Sequence, residues 1–122
     1  VDAREVVERL NETINAHDLA AGRALYAEDA RLIPASGAPM DLDGLDNMLS
    51  ASFALLPDLQ MTVLRWVEAG DTVVTEEVME ATHASGRRVQ LPMAHITRVV
   101  DDRIVERVAY HDTAGILRQL TE

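Results

Sequence analysis

RVQLPMAHITRVVDDRIVERVAYHD, residues 88–112, decides the fold. Apolar and polar residues alternate on both sides of Asp101-Asp102, which is the period of a strand. The stretch reads as two antiparallel strands, Arg88–Val100 and Arg103–Asp112, joined by a short turn. Each strand carries one histidine, His95 and His111. Histidine is the side chain that titrates near neutrality without help from its surroundings. Two of them on neighbouring strands of a curved sheet form a floor for a small-molecule pocket.

Downstream, Ala114–Leu120 reads as a short closing helix. Upstream, the period of two extends back to Leu59. It gives strands Leu59–Ala69, Thr72–His83 and Arg87–Val100, with turns at Ala69-Gly70-Asp71 and Ala84-Ser85-Gly86. Turns this short impose antiparallel neighbours. Before Leu59 the period is helical. Val6, Val7, Leu10 and Ile14 predict a helix over Ala3–Ala16. Asp18 caps a second over Leu19–Ala27, and Asp43 a third over Gly44–Leu56. Ala30–Ile33 reads as a short strand, and Pro34–Pro39 as a loop. Three helices followed by a meander predict an α+β domain over 1–122, a curved antiparallel sheet packed on three N-terminal helices.

The chain has 122 residues, 48% of them hydrophobic, enough for a proper core. Aromatics are only 3%, so core and pocket are built from aliphatic residues and Met. Net charge is −10, which disfavours nucleic acid and anionic membranes. Lysine is absent, which removes Schiff-base chemistry by a lysine. Cysteine is also absent, which removes thiolate metal sites and nucleophiles. No apolar run reaches the roughly 20 residues of a membrane span. The opening VDAREVVERL carries no signal-peptide features, so a cytoplasmic location is expected.

Turn length decides which side chains share a face. A three-residue turn, Asp101-Asp102-Arg103, with a bulge sets His95 opposite Ala109 and Met93 opposite His111. A strict two-residue turn would bring Val108, Tyr110 and Asp112 to that face instead. Aspartate tolerates left-handed backbone better than most residues, which favours the bulged register.

The order of elements resembles the nuclear transport factor 2-like (cystatin-like) cone fold and, within it, the SnoaL-like group. Three strings carry the resemblance: NAHDLAAGRALYAEDARLIP (15–34), EAGDTVVTEE (68–77) and HITRVVDDRIVERVAYHDTAGILRQL (95–120). That family includes polyketide cyclases, ketosteroid isomerases, epoxide hydrolases, dehydratases and binders, so the fold alone names no reaction. His95 matches the histidine of the cyclases, but their partner aspartate falls at Ala109. The isomerase tyrosine and aspartate places hold Leu10 and Ile33, and His95 replaces the oxyanion-donor aspartate. In the Asp–Arg–Asp arrangement of the epoxide hydrolases, Met93 takes the Arg place, His95 one Asp place and Ala109 the other. Both of those mechanisms are disfavoured.

His95 is then either an acid/base group or a buried histidine bonded within the core. His111 either assists it or sits at the rim. Asp112 is either a partner for a histidine or the cap of the last helix. Of Glu76 and Glu77, one faces the pocket side, where a carboxylate would be desolvated. The resemblance places Leu10, Ile14, Met48, Phe53, Trp66, Met93 and Ala109 around an apolar ligand. It implies an enzyme working through an enolate, an aldol-type cyclase, isomerase or dehydratase. A binding module or a dimerisation domain stands as the alternative. Neither cofactor nor metal is expected, because no phosphate-binding glycine loop is present and His17 and His83 lie apart from the other histidines. A homodimer through the outer sheet face is expected.

Overall fold

The computed structural model describes residues 2–121. Helix α1 spans Ala3–Asn15 and α2 spans Leu19–Arg23. Asp2 caps the first, accepting from Glu5 N–H, and Asp18 caps the second, accepting from Ala21 N–H. Strand β1, Tyr26–Ile33, follows. It is longer than the expected Ala30–Ile33 and takes residues from the predicted end of α2. Helix α3 runs Leu42–Leu55, and its cap is Asp41 rather than Asp43. Asp41 Oδ1 lies 2.8 Å from Gly44 N–H, and the earlier start buries Leu42.

Strands β2 (Gln60–Ala69), β3 (Thr72–Thr82), β4 (Arg88–Val100) and β5 (Arg103–His111) form the expected antiparallel meander. The sheet as a whole is mixed, in the order β1-β5-β4-β3-β2, because β1 joins β5 in parallel. The α+β class and the antiparallel meander stand, and β1 adds a parallel edge strand to the sheet. Helix α4, Gly115–Thr121, packs on β4. A Cβ on Gly115 would lie 2.7 Å from Leu91 Cδ1, so any larger residue there would make the Leu91 side chain shift. No described helix is long and apolar enough to cross a membrane.

Two bulges shape the sheet, since an extra residue on one strand bends it and adds twist. On β2 the extra residue is Leu64, between the pairs Val63–Glu77 and Arg65–Glu76. In the last hairpin the turn is two residues, with Asp101 at φ 51° and Asp102 at φ 62°, and Val100 pairs directly with Arg103. The extra residue is Val105, one pair further in. The expected three-residue turn is therefore replaced by a two-residue turn followed by a bulge. Both give the same register beyond it, with His95 opposite Ala109 and Met93 opposite His111.

The core has two parts. One joins Val6, Leu10, Leu32, Leu45, Val99 and Ile104. The other joins Leu56, Leu59, Met79, Ala81, Val89 and Leu91. Leu10 and Leu45 of the first and Leu56, Leu59, Met79 and Leu91 of the second all face one cavity between helices and sheet. The fold thus leaves an unfilled chamber between its two packed ends.

Candidate active site

The chamber has a volume of about 360 Å³. Leu10 and Ile14 of α1, Met48 and Phe53 of α3, and Met61, Met79, Leu91 and Met93 of the sheet make most of its wall. A smaller cavity of about 100 Å³ lies under Pro34, Ala35 and Met40, which belong to or flank the loop after β1. Tyr26, His95, Arg107 and His111 line both. These four polar side chains therefore gather where the two spaces adjoin.

His95 is buried on β4, opposite Ala109 on one side and Thr75 on the other. Its Nδ1 is bonded to Glu77 Oε2. Glu77 is 1% exposed, and the same oxygen accepts from Thr75 Oγ1 at 3.1 Å. Strand parity explains the placement, because Val73, Thr75, Glu77, Met79 and Ala81 are the buried alternate residues of β3. The carboxylate that the cyclase pattern puts on β5 is absent at Ala109, and β3 supplies one from the opposite side of the histidine.

The electrostatics of the pair are consistent. Burial pushes His95 below the usual histidine value, and the positive charge of Arg107 adds to this. Glu77 works in the other direction but does not outweigh them. The imidazole is thus neutral at pH 7. For Glu77, burial acts upward, but the hydrogen bond and charge of His95, the charge of Arg107 and the Thr75 hydroxyl hold it below the usual carboxylate range. An ionised carboxylate facing Nδ1 fixes that nitrogen as the N–H. Nε2 is then the free lone pair, the tautomer a general base requires.

Arg107, 8% exposed, donates from Nη1 to Thr97 Oγ1 at 2.8 Å. Tyr26 is buried and its phenol is pushed up by that burial, so it remains a proton donor. His111 is partly exposed, and its Nδ1 is buried with no hydrogen-bond partner.

Three other expectations are corrected. Asp112 lies at the surface, accepts from Ala114 N–H at 3.0 Å and pairs with Arg118, which holds its carboxyl low. It is the turn before α4, not a partner of either histidine. Trp66 lies outside both cavities, because the Arg4 guanidinium of α1 stacks over it, 4.6 Å from the ring centre. Ala109 lines only the smaller cavity. Leu10, Ile14, Met48, Phe53 and Met93 line the main chamber. His17 is structural, with its ring stacked on Phe53 at 4.1 Å and Nε2 bonded to Leu59 O at 2.8 Å.

Sequence reading left Glu77 open and did not select Arg107 or Tyr26. The signal for Glu77 was its parity with Thr75 and Met79. For Arg107 it was its place two residues from Ala109 on the same face.

The sequence matches the SnoaL-like domain over residues 7–107. The chain belongs to the SnoaL-like family. This SnoaL-like domain is similar to wild-type IdmH from Streptomyces antibioticus, a candidate polyketide cyclase. The two are 30% identical over 100% of both chains, with a TM-score of 0.91. AclR from Streptomyces galilaeus, a candidate hydroxylase, shares the fold at 19% identity. That match covers 98% of this chain and 95% of AclR, with a TM-score of 0.89. A candidate SnoaL-like polyketide cyclase from Jannaschia sp. CCS1 also shares it, at 19% identity, 98% and 91% coverage and a TM-score of 0.86. No curated protein matches the sequence.

Proposed function

We propose that this SnoaL-like domain is an acid–base enzyme that enolises an apolar, carbonyl-bearing small molecule. The outcome would be an aldol-type cyclisation, an isomerisation or a dehydration. The observation that carries the reading is the Glu77–His95 pair, with His95 on the wall of a mostly apolar chamber and Glu77 buried behind it. The similarity to a candidate polyketide cyclase supports the same substrate class. Nε2 of His95 takes a proton from the carbon next to the carbonyl. The C–H electron pair becomes the C=C of an enolate, and the negative charge moves to oxygen. Tyr26 and Arg107, on the same wall, are the donors for that oxygen. His95-H⁺ then returns its proton to carbon, or to a leaving hydroxyl in a dehydration. Nothing in this sequence calls for a cofactor.

The test is proton exchange at the α-carbon of 2-tetralone in D₂O, followed by NMR from pH 4.5 to 8. His95 is held below its ordinary value, so the rate is expected to be flat through neutrality. It should fall about tenfold per pH unit only on the acid side of roughly 6.5. Binding of the ketone without exchange would favour a non-catalytic module, the reading that Ala109 in the cyclase aspartate's place supports.

We also propose a homodimer through the outer sheet face. Val67, Ile96 and Tyr110 are exposed there. The charges around them are matched within the chain as Arg65–Glu76, Arg98–Asp71 and Arg88–Glu80. On a molecule of net charge −10, that balance suits a face that meets its own copy. Ile96→Glu should convert the dimer to monomer in sedimentation equilibrium. A native chain that is already monomeric at high concentration would dismiss the dimer.

A further inference from the structure

Of the charged groups lining the chamber, Asp18, Arg23 and Asp46 are engaged in a helix cap and ion pairs, and Arg107 is the one for which the enolisation step alone gives an incomplete account. A buried cation is costly unless a charge or several hydrogen bonds meet it. Among the described residues, Arg107 has no carboxylate within ion-pair distance, and its bond to the neutral Thr97 hydroxyl engages only Nη1. Glu77, the buried anion whose charge acts on Arg107, makes its hydrogen bonds to His95 and Thr75 and none to the guanidinium. The half-buried imidazole of His111 lines the same wall. Both residues line the main chamber and the smaller cavity, so both face the place where the two adjoin.

We propose that the ligand carries an acidic oxygen group, a carboxylate or an already ionised enol, and that Arg107 binds it at this junction with His111 as the second donor. A planar guanidinium fork with its other N–H groups unspent matches an oxygen pair bidentately. The apolar body of the ligand then fills the main chamber between α1, α3 and the sheet. The smaller cavity receives whatever projects beyond the anion. This deepens the reading above and rests on it in one respect, that the carbon to be deprotonated lies beside His95. The substrate class becomes an apolar monoanion rather than a neutral ketone.

The test is binding, which is independent of turnover. Affinities of 2-naphthoate and of neutral 2-naphthalenemethanol are compared by titration calorimetry at pH 7.5 and low salt. A third arm uses 1,3-indandione at pH 8.5, where it is an enolate. The naphthoate is expected to bind at least about tenfold tighter than the alcohol, as a charge-assisted pair allows. Preference for the naphthoate assigns the site to carboxylates, and preference for indandione assigns it to ionised enols. Arg107→Met should erase the preference. Should that variant not fold, Arg107→Lys serves. It keeps the charge but loses the fork, and the preference should shrink by severalfold. Equal affinity for acid and alcohol in the native chain, no binding of either anion, or a preference that survives at Arg107→Met would overturn the proposal. Failure here with intact 2-tetralone exchange leaves the acid–base reading standing. Anion preference without exchange does the reverse.

Discussion

Replacing His95 by glutamine is expected to slow α-proton exchange about a thousandfold, within the range that a positioned general base contributes. Glutamine has comparable reach and an amide N–H₂ that can still donate to Glu77. It offers no basic lone pair at the position of Nε2. The chamber walls, Met93 and Leu91 on the same strand among them, do not depend on the imidazole. The variant should therefore keep its fold, checked by near-ultraviolet circular dichroism, and should still bind the ketone. Loss of rate without loss of binding is the signature of a group that acts in the transition state. A variant that exchanges at the native rate would make His95 a spectator and move the base elsewhere.

Replacing Glu77 by leucine is expected to cost about 3–5 kcal/mol of stability. The side chain is fully buried, so nothing replaces it from solvent. Its removal strips the acceptor from His95 Nδ1 and from the Thr75 hydroxyl. It also removes the buried negative charge that offsets Arg107. Each orphaned group then carries its full desolvation penalty. Total stabilities of domains are roughly 5–15 kcal/mol, so the loss would be plain in urea unfolding. Glu77→Gln keeps the shape and one acceptor and should lose less, about 1–3 kcal/mol.

The same pair fixes the sign of the pH dependence. Folded His95 and folded Glu77 both sit below their ordinary values. As pH falls, the unfolded chain takes up these protons first. The native chain's stability is thus complete above about 6.5, declines below it as His95's share is lost, and declines further as Glu77 protonates. The gap between native and Glu77→Leu should narrow toward pH 4. An unchanged urea midpoint for Glu77→Leu at pH 7.5 would contradict the account.

Periodicity made the meander legible, because each strand of it buries one face and exposes the other. It also made the last hairpin's register legible, through residues that tolerate left-handed backbone. It failed for β1, whose pairing with β5 shifts between Tyr26 and Arg31, so Glu28 and Asp29 break the alternation. It failed at Asp41 because two aspartates stand two residues apart, and only the burial of Leu42 separates them. For the site, His95 was legible because it interrupts an apolar face. Glu77 was ambiguous inside the run Glu76-Glu77-Val78-Met79-Glu80, which has the composition of a solvent face. Arg107 was not legible as a site residue. What distinguishes it is the absence of a carboxylate partner, a property of the assembled structure. Trp66 was misplaced because nothing along the chain announces that Arg4 covers it.

The extra residue at Val105 has a reach beyond its own pair. Without it, the chamber side of the final strand would present Glu106, Val108 and Tyr110 in place of Arg107, Ala109 and His111. A cationic, hydrogen-bonding wall would become an acidic and aromatic one with no letter of the sequence changed. The chemistry of this chamber is therefore written partly in the parity of a hairpin. Among chains of this architecture, whether the hairpin carries a bulge there decides which alternate residues of the final strand face the chamber, and with them the ligand it prefers.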